Sequence, residues 1–172
     1  PFSRQVELLS ETDSGNGNSR RWTEERENGE EIMQEVSVII PNFNGMAYLD
    51  GVLAGLECQT VDDFEVILVD NGSSDGSCAF VAARYPWVHL IELPENFGFC
   101  KAVNEGIRAS RSPYVLLLNN DIEVTDNFIE EMTDAIKRHP KAFSCAARMI
   151  QFHDRDRLDD AGNYYCALGW AY

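Results

Sequence analysis

From Val36 onward the chain alternates short, β-branched apolar runs with stretches whose apolar residues recur every three or four positions. Few folds accept that alternation, and the commonest is a parallel sheet whose strands are joined by crossover helices. Val36–Ile40, Phe64–Val69, Val88–Leu93 and Tyr114–Leu118 are the expected strands. The second and fourth are apolar almost throughout, so both are expected to be covered on two faces. Tyr48, Leu49, Val52, Leu53 and Leu56 form one helical stripe, and Phe99, Val103 and Ile107 form another. Phe128, Ile129, Met132 and Ile136 form a third, opened by Thr125 or Asp126 as a cap and closed by Lys137, Arg138, His139 and Pro140. All three stripes are expected to pack in the core. Phe143–Phe152 is a further predicted strand.

The 172 residues suffice for one core of ordinary size. Two parts differ in composition. Residues 1–34 read as a disordered, acidic and polar tail or linker, because Ser10 to Glu35 is rich in Ser, Gly, Asn, Glu and Arg, with Trp22 its only aromatic residue. Such a stretch buries too little apolar area to offset ordering entropy, although a short helix is expected around Trp22 to Glu31. Residues 35–172 read as the folded domain. The formal charge of -15 excludes a broad nucleic-acid-binding face, which needs clustered Lys and Arg. An acidic chain that handles an anionic nucleotide must offset repulsion locally, and a divalent cation does so without a basic patch.

Cys58, Cys78, Cys100, Cys145 and Cys166 are odd in number and free of C-x-x-C pairs, which reads as buried thiols in a reducing compartment. His89, His139 and His153 lack the spacing of zinc ligands. Asn71-Gly72-Ser73 matches a glycosylation acceptor but reads better as a turn. The sequence contains no membrane-length apolar stretch and no recognisable signal peptide, and its start at Pro1 suggests that the natural N-terminus is missing.

The chemistry gathers where the strands end. Open α/β sheets bind ligands at the carboxyl ends of their strands, and each predicted strand runs into a polar cluster there. These are Pro41-Asn42-Phe43-Asn44-Gly45, then Asp70 to Ser77, then Pro94-Glu95-Asn96-Phe97-Gly98, then Asn119-Asn120-Asp121. Asp121 offers Mg2+ or Mn2+ a hard oxygen while leaving positions open for phosphate and water. By itself the tripeptide reads better as a polar turn that ends a strand. Four such turns facing one crevice describe a nucleotide-diphosphate site.

In order and spacing, these blocks resemble the nucleotide-binding half of the family 2 glycosyltransferases. The matching stretches are Val36-Ser37-Val38-Ile39-Ile40-Pro41-Asn42-Phe43-Asn44, Val69-Asp70-Asn71-Gly72-Ser73-Ser74-Asp75, Asn96-Phe97-Gly98 leading to Asn104-Glu105-Gly106-Ile107, and Leu118-Asn119-Asn120-Asp121. The resemblance implies an α/β GT-A fold, a Rossmann-like, mostly parallel sheet with crossover helices, truncated at its C-terminus. Carried onto these residues, it implies that Pro41 and Phe43 line the base pocket and that Asp70 reads the base. An ionised carboxylate only accepts hydrogen bonds, which suits the imide N–H of uracil or thymine. Asn44 and Asn96 belong to the nucleotide-sugar site, while Asn71, Gly72 and Ser73 shape a turn. Lys101 approaches the diphosphate or is simply an exposed helix lysine. Asp121 stands at the final acid of the family's D-x-D motif, and Asn119 stands where its first acid belongs. Asn119 and Asn120 thus offer hydrogen bonds rather than charge, a form resembling the rhamnosyltransferase-like branch.

The implied activity is metal-dependent, inverting transfer of a sugar from a UDP- or dTDP-sugar to a glycan or lipid-linked acceptor, as in envelope polysaccharide synthesis. It would take place in the cytoplasm or at the inner face of the membrane, with peripheral association through regions outside this sequence. The catalytic base is expected beyond Tyr172. Asp154, Asp156, Asp159 and Asp160 follow the metal site too closely and are expected as loop acids or acceptor-side contacts. One rival is a nucleotidyltransferase, although Asn42 to Gly45 lacks that class's basic phosphate loop. The other is a non-catalytic nucleotide-sugar-binding module, for which Asn119 is the best support.

Overall fold

The structure, a computed structural model, describes residues 4–6 and 33–160. Its strands are β1 (Arg4–Val6), β2 (Val36–Asn42), β3 (Phe64–Asp70), β4 (His89–Glu92), β5 (Tyr114–Leu117), β6 (Ile122–Val124), β7 (Met149–Gln151) and β8 (Asp154–Asp160). The helices are α1 (Met46–Glu57), α2 (Ser77–Arg84), α3 (Phe99–Ala109) and α4 (Phe128–Arg138). They fall into two units. One contains β2 to β5 with α2 and α3, and the other β1, β6, β7 and β8 with most of α1 and α4.

The first unit is a parallel sheet in the order β4-β3-β2-β5. Its register pairs Val36 with Phe64 and Asn42 with Asp70, so the two central strands end level. Every residue of β3 except Glu65 is buried. A Val, Ile or Leu side chain so placed contributes about 1.5–3 kcal/mol through burial. Helix α3 lies close against β2 because Gly106 has no side chain. A Cβ there would come 2.4 Å from Ile39 Cγ2 and 3.2 Å from Val69 Cγ2.

That close approach corrects one expectation. It fixes the inward face of α3 as Ala102, Val103 and Gly106, leaving Phe99 59% and Ile107 41% exposed. A second correction concerns β5, which is an edge strand. Leu116 is buried, but Val115 and Leu117 are 41% and 53% exposed, so only one face of β5 is covered. Helix α2 has no long apolar stripe and buries only Ser77 and Val81, while Tyr85 just beyond it is fully buried.

In the second unit α1 buries Leu49, Val52, Leu53 and Leu56 as expected. The Gln59 side chain joins it to α4. Gln59 Nε2 donates to the carbonyls of Gly55 (3.0 Å) and Thr125 (2.8 Å), and its Oε1 accepts the Ile129 N–H at 2.9 Å. That bond satisfies a first-turn donor of α4 which would otherwise lack a helical partner. The helix's N-cap is Asn127, beyond the expected Thr125 or Asp126, because the Phe128 N–H folds back onto the Thr125 carbonyl at 3.1 Å.

The sheet of this unit has the order β6-β1-β7-β8, with β1 parallel to β6 and antiparallel to β7. Three residues of the expected tail, Arg4–Val6, thus form a strand. The helix expected around Trp22 lies outside the described residues. Of Phe143–Phe152 only Met149–Gln151 is strand, and Phe143 is fully exposed. Asp154, Asp156, Asp159 and Asp160, expected as loop acids, lie on β8, which pairs with β7 across register shifts. Cys58, Cys100 and Cys145 are exposed, correcting the expectation of buried thiols. Only Cys78 is partly covered, and Cys166 lies outside the described residues. Among the described residues no helix is long and apolar enough to cross a membrane.

Candidate functional site

At the carboxyl ends of β2, β3 and β5 the apolar interior gives way to a lattice of amides around one carboxylate. Asp70 is 1% exposed, and both its oxygens hold donors. Oδ1 accepts Asn42 Nδ2 at 2.8 Å, and Oδ2 accepts the Ser73 N–H at 2.8 Å. The level register of Asn42 and Asp70 makes the first bond possible, and the tight turn after β3 makes the second. Asn42 is equally buried. Its Nδ2 also reaches Ser73 Oγ at 3.3 Å, its Oδ1 accepts Asn120 Nδ2 at 2.7 Å, and its carbonyl accepts the Asn71 N–H at 2.7 Å.

The turns are tied to one another in the same way. Asn44 takes a left-handed backbone (φ 50°), a conformation that Asn tolerates better than most residues. Its N–H donates to Ser73 Oγ at 2.8 Å, and its Oδ1 accepts the Ser74 N–H at 2.9 Å. Asn71 anchors the next loop, donating to Asn96 Oδ1 (2.9 Å) and the Gly98 carbonyl (3.2 Å) while accepting the Phe97 N–H (2.9 Å). Gly45 admits the Asn42–Asn120 contact, since a Cβ there would lie 2.1 Å from Asn120 Nδ2 and 2.3 Å from Asn42 Oδ1.

Two titrating groups border the lattice. Burial pushes the Cys78 thiol up to about 12, and the neighbouring Asp70 and Glu92 carboxylates add to the rise. Burial also works to raise Asp75, but hydrogen bonds from the Ser77 hydroxyl and the Met46 and Ser77 N–H groups outweigh it. They hold that carboxyl below its usual value. Asp75 thus sits just before Gly76, the N-cap of α2, and its Oδ1 accepts the Ser77 N–H at 3.0 Å.

Of the residues singled out in the sequence, the structure brings Asp70, Asn44 and Asn120 into this lattice, with Asn96 joined through Asn71. Pro41 is half-buried in β2, and Phe43 just beyond the strand is 47% exposed. Asn119 is exposed. Lys101 stands apart on the surface of α3, paired with Glu105 one turn away. That hydrogen bond, together with Arg108, holds the Glu105 carboxyl low. Asn42 is the residue that sequence reasoning passed over. Its signal was a polar residue closing an otherwise apolar strand.

Asp121 follows Asn120 directly and is half-buried. Among the described residues no three His, Cys, Asp or Glu side chains gather into a metal-holding group. A single carboxylate does not make a free-standing metal site. It does fit a divalent cation carried by a nucleotide diphosphate, whose other ligands are phosphate and water oxygens.

The chain is 29% identical over 121 residues to the cholesterol galactosyltransferase of Borreliella burgdorferi, covering 69% of this chain and 34% of that one. It is 30% identical over 116 residues to the N-acetylglucosaminyl-diphospho-decaprenol L-rhamnosyltransferase of Mycobacterium tuberculosis, covering 61% and 38%. It therefore spans little more than a third of the length of either relative. Among solved structures, S. aureus TarS 1–349 in complex with UDP-GlcNAc superposes with a TM-score of 0.57 at 25% identity, over 62% of this chain and 32% of that one. The parallel sheet, its crossover helices and this superposition agree with the GT-A fold. Residues 37–169, well over half of the sequence, match the model of the glycosyl transferase family 2, and the chain belongs to that family.

Proposed function

We propose that the chain is the donor-binding part of a glycosyltransferase that moves a sugar from UDP or dTDP to a glycan or lipid-linked acceptor, with inversion and with Mn2+ or Mg2+. The buried Asp70–Asn42–Asn120 lattice at the strand ends carries this reading. It holds an ionisable acceptor and several amides rigidly where an α/β sheet receives its ligand. The TarS complex with UDP-GlcNAc supports a nucleotide-sugar donor, and the mycobacterial relative's name supports a lipid-linked acceptor.

In this reading the exposed ring of Phe43, beside Pro41, lies against the base, a contact that favours any base. Asp70 selects among bases. Each of its oxygens holds one donor internally and retains acceptor capacity for the imide N–H of a pyrimidine. Asn44, Asn96, Asn119 and Asn120 offer hydrogen bonds to ribose, sugar and phosphate. Lys101 reaches the diphosphate only by leaving Glu105.

Asp121 would hold the cation together with phosphate oxygens. When bound, the cation supplies positive charge against the departing diphosphate. The acceptor hydroxyl oxygen then bonds to the anomeric carbon as the carbon–diphosphate bond breaks. Its proton passes to a carboxylate outside the described residues, and this direct displacement inverts the centre.

Thermal melts with a nucleotide panel test the donor assignment. With Mn2+ present, UDP or dTDP at about a hundred times its dissociation constant adds roughly 2.7 kcal/mol of stability. ADP and GDP at the same concentrations should add much less. Equal or greater stabilisation by the purine nucleotides removes Asp70 from base recognition.

A further inference from the structure

The two ends of an asparagine amide have the same shape and opposite chemistry, one donating and the other accepting. A buried amide therefore takes its orientation from its neighbours. Asn42 has a neighbour that leaves no choice, since an ionised Asp70 can only accept. Asn42 must turn its Nδ2 toward Asp70 Oδ1, the 2.8 Å bond observed. Its Oδ1 then faces the other way, where it can only accept, and Asn120 must supply a donor. Asn120 does so, with Nδ2 at 2.7 Å. The Asn120 carbonyl oxygen is left as the outward end of its amide, and it holds no hydrogen bond among the described residues.

We propose that Asn42 is a positioning residue, whose amide transmits the polarity of Asp70 to Asn120 so that Asn120 meets the nucleotide-sugar with an acceptor oxygen rather than an amino group. The matching group on the ligand is a hydroxyl of its ribose or sugar. This rests on the glycosyltransferase reading only for the identity of the ligand, because the chain of donors is a property of the protein alone. Polarised hydrogen bonds in series reinforce one another, so the three residues act as a unit. Gly45 is part of the arrangement, since any side chain there would push the two amides apart.

The orientation can be reversed by mutation. Asn120→Asp sets an acceptor against Asn42 Oδ1, and Asp70→Asn removes the group that fixes the polarity, so each alone should lower the melting temperature at pH 8. Combined, they allow the series to run backwards. Residue 70 donates to Asn42 Oδ1 while still accepting the Ser73 N–H, and Asn42 Nδ2 donates to the new carboxylate at 120. The double variant should therefore recover at least half of the melting-temperature loss of the worse single variant. A smaller recovery in the double variant overturns the relay.

The ligand half is tested by UDP calorimetry with Mn2+. Asn120→Ala should weaken UDP by about tenfold in the parent, the worth of one good hydrogen bond, and by much less when Asn42 is already Ala. Equal losses in both backgrounds overturn the coupling. If Asn42→Ala fails to fold, the double variant, which retains Asn42, decides. A parent that does not bind UDP defeats the donor assignment, and the melting comparison still judges the relay.

Discussion

Strands β3 and β5 read alike in the sequence, each an apolar run ending in polar residues, yet the fold uses them differently. β3 is central, buried on both faces, and ends in a carboxylate whose two oxygens are already engaged. β5 is an edge strand that buries alternate residues, and it runs into an exposed Asn119, a half-buried Asn120 and a half-buried Asp121. An acid at the end of a buried strand is therefore not one kind of residue. Asp70 is part of the architecture as well as a candidate ligand contact, whereas Asp121 is half-buried and takes no part in the lattice.

Mutations can break that contrast or sharpen it. The largest loss should come from Ile67→Ala in β3, which empties a fully buried site and should cost about 4 kcal/mol in urea melts. Leu117→Ala in β5 should cost about 1 kcal/mol or less, and equal losses would erase the distinction between the strands. Asp70→Ala should come next, at about 2–3 kcal/mol, because it strips the acceptor from the Ser73 N–H and from Asn42 Nδ2. Asp121→Ala should change stability by less than about 0.5 kcal/mol. In calorimetry it should abolish the Mn2+ dependence of UDP binding, and a variant that responds to Mn2+ like the parent would remove Asp121 as the ligand.

The mildest test uses the thiol beside Asp70. At pH 8, iodoacetamide should modify Cys58, Cys100 and Cys145 well before Cys78, whose pKa is raised to about 12. Because the folded value lies above the unfolded one, its contribution to stability is intact below pH 9 and is lost as pH rises toward about 12. Peptide mapping by mass checks the order of modification, and early labelling of Cys78 would show that the end of β3 is more open than described.

The runs that became β2, β3 and β5 were legible because β-branched residues between polar turns leave little else to form. The place of each strand in the sheet was not, since order depends on pairing between distant segments and β5 carries no local mark of an edge. The α3 stripe misled for a related reason. Its spacing identified a helix, but Gly106 rather than the large side chains determined which face turned inward. β8 was missed because Asp154-Arg155-Asp156-Arg157 has poor strand propensity and is held by its pairing with β7. In the site, motif positions led to Asp70, Asn44 and Asn120. The part played by Asn42 stayed hidden, because its side-chain partners Asp70 and Asn120 lie 28 and 78 residues away.

Those separations have a kinetic consequence. Closing a longer loop costs more chain entropy, and contacts between distant segments wait for the nearer ones. The bond between Asn42 and Asp70 can form as soon as β2 meets β3, but the bond to Asn120 must wait until β5 reaches the sheet edge. Asn120 should therefore be loose in the folding transition state and be among the last residues to settle. A chain interrupted before that step would already have the Asp70 end of the lattice and still lack the Asn120 end, so the completed lattice would report that folding is complete.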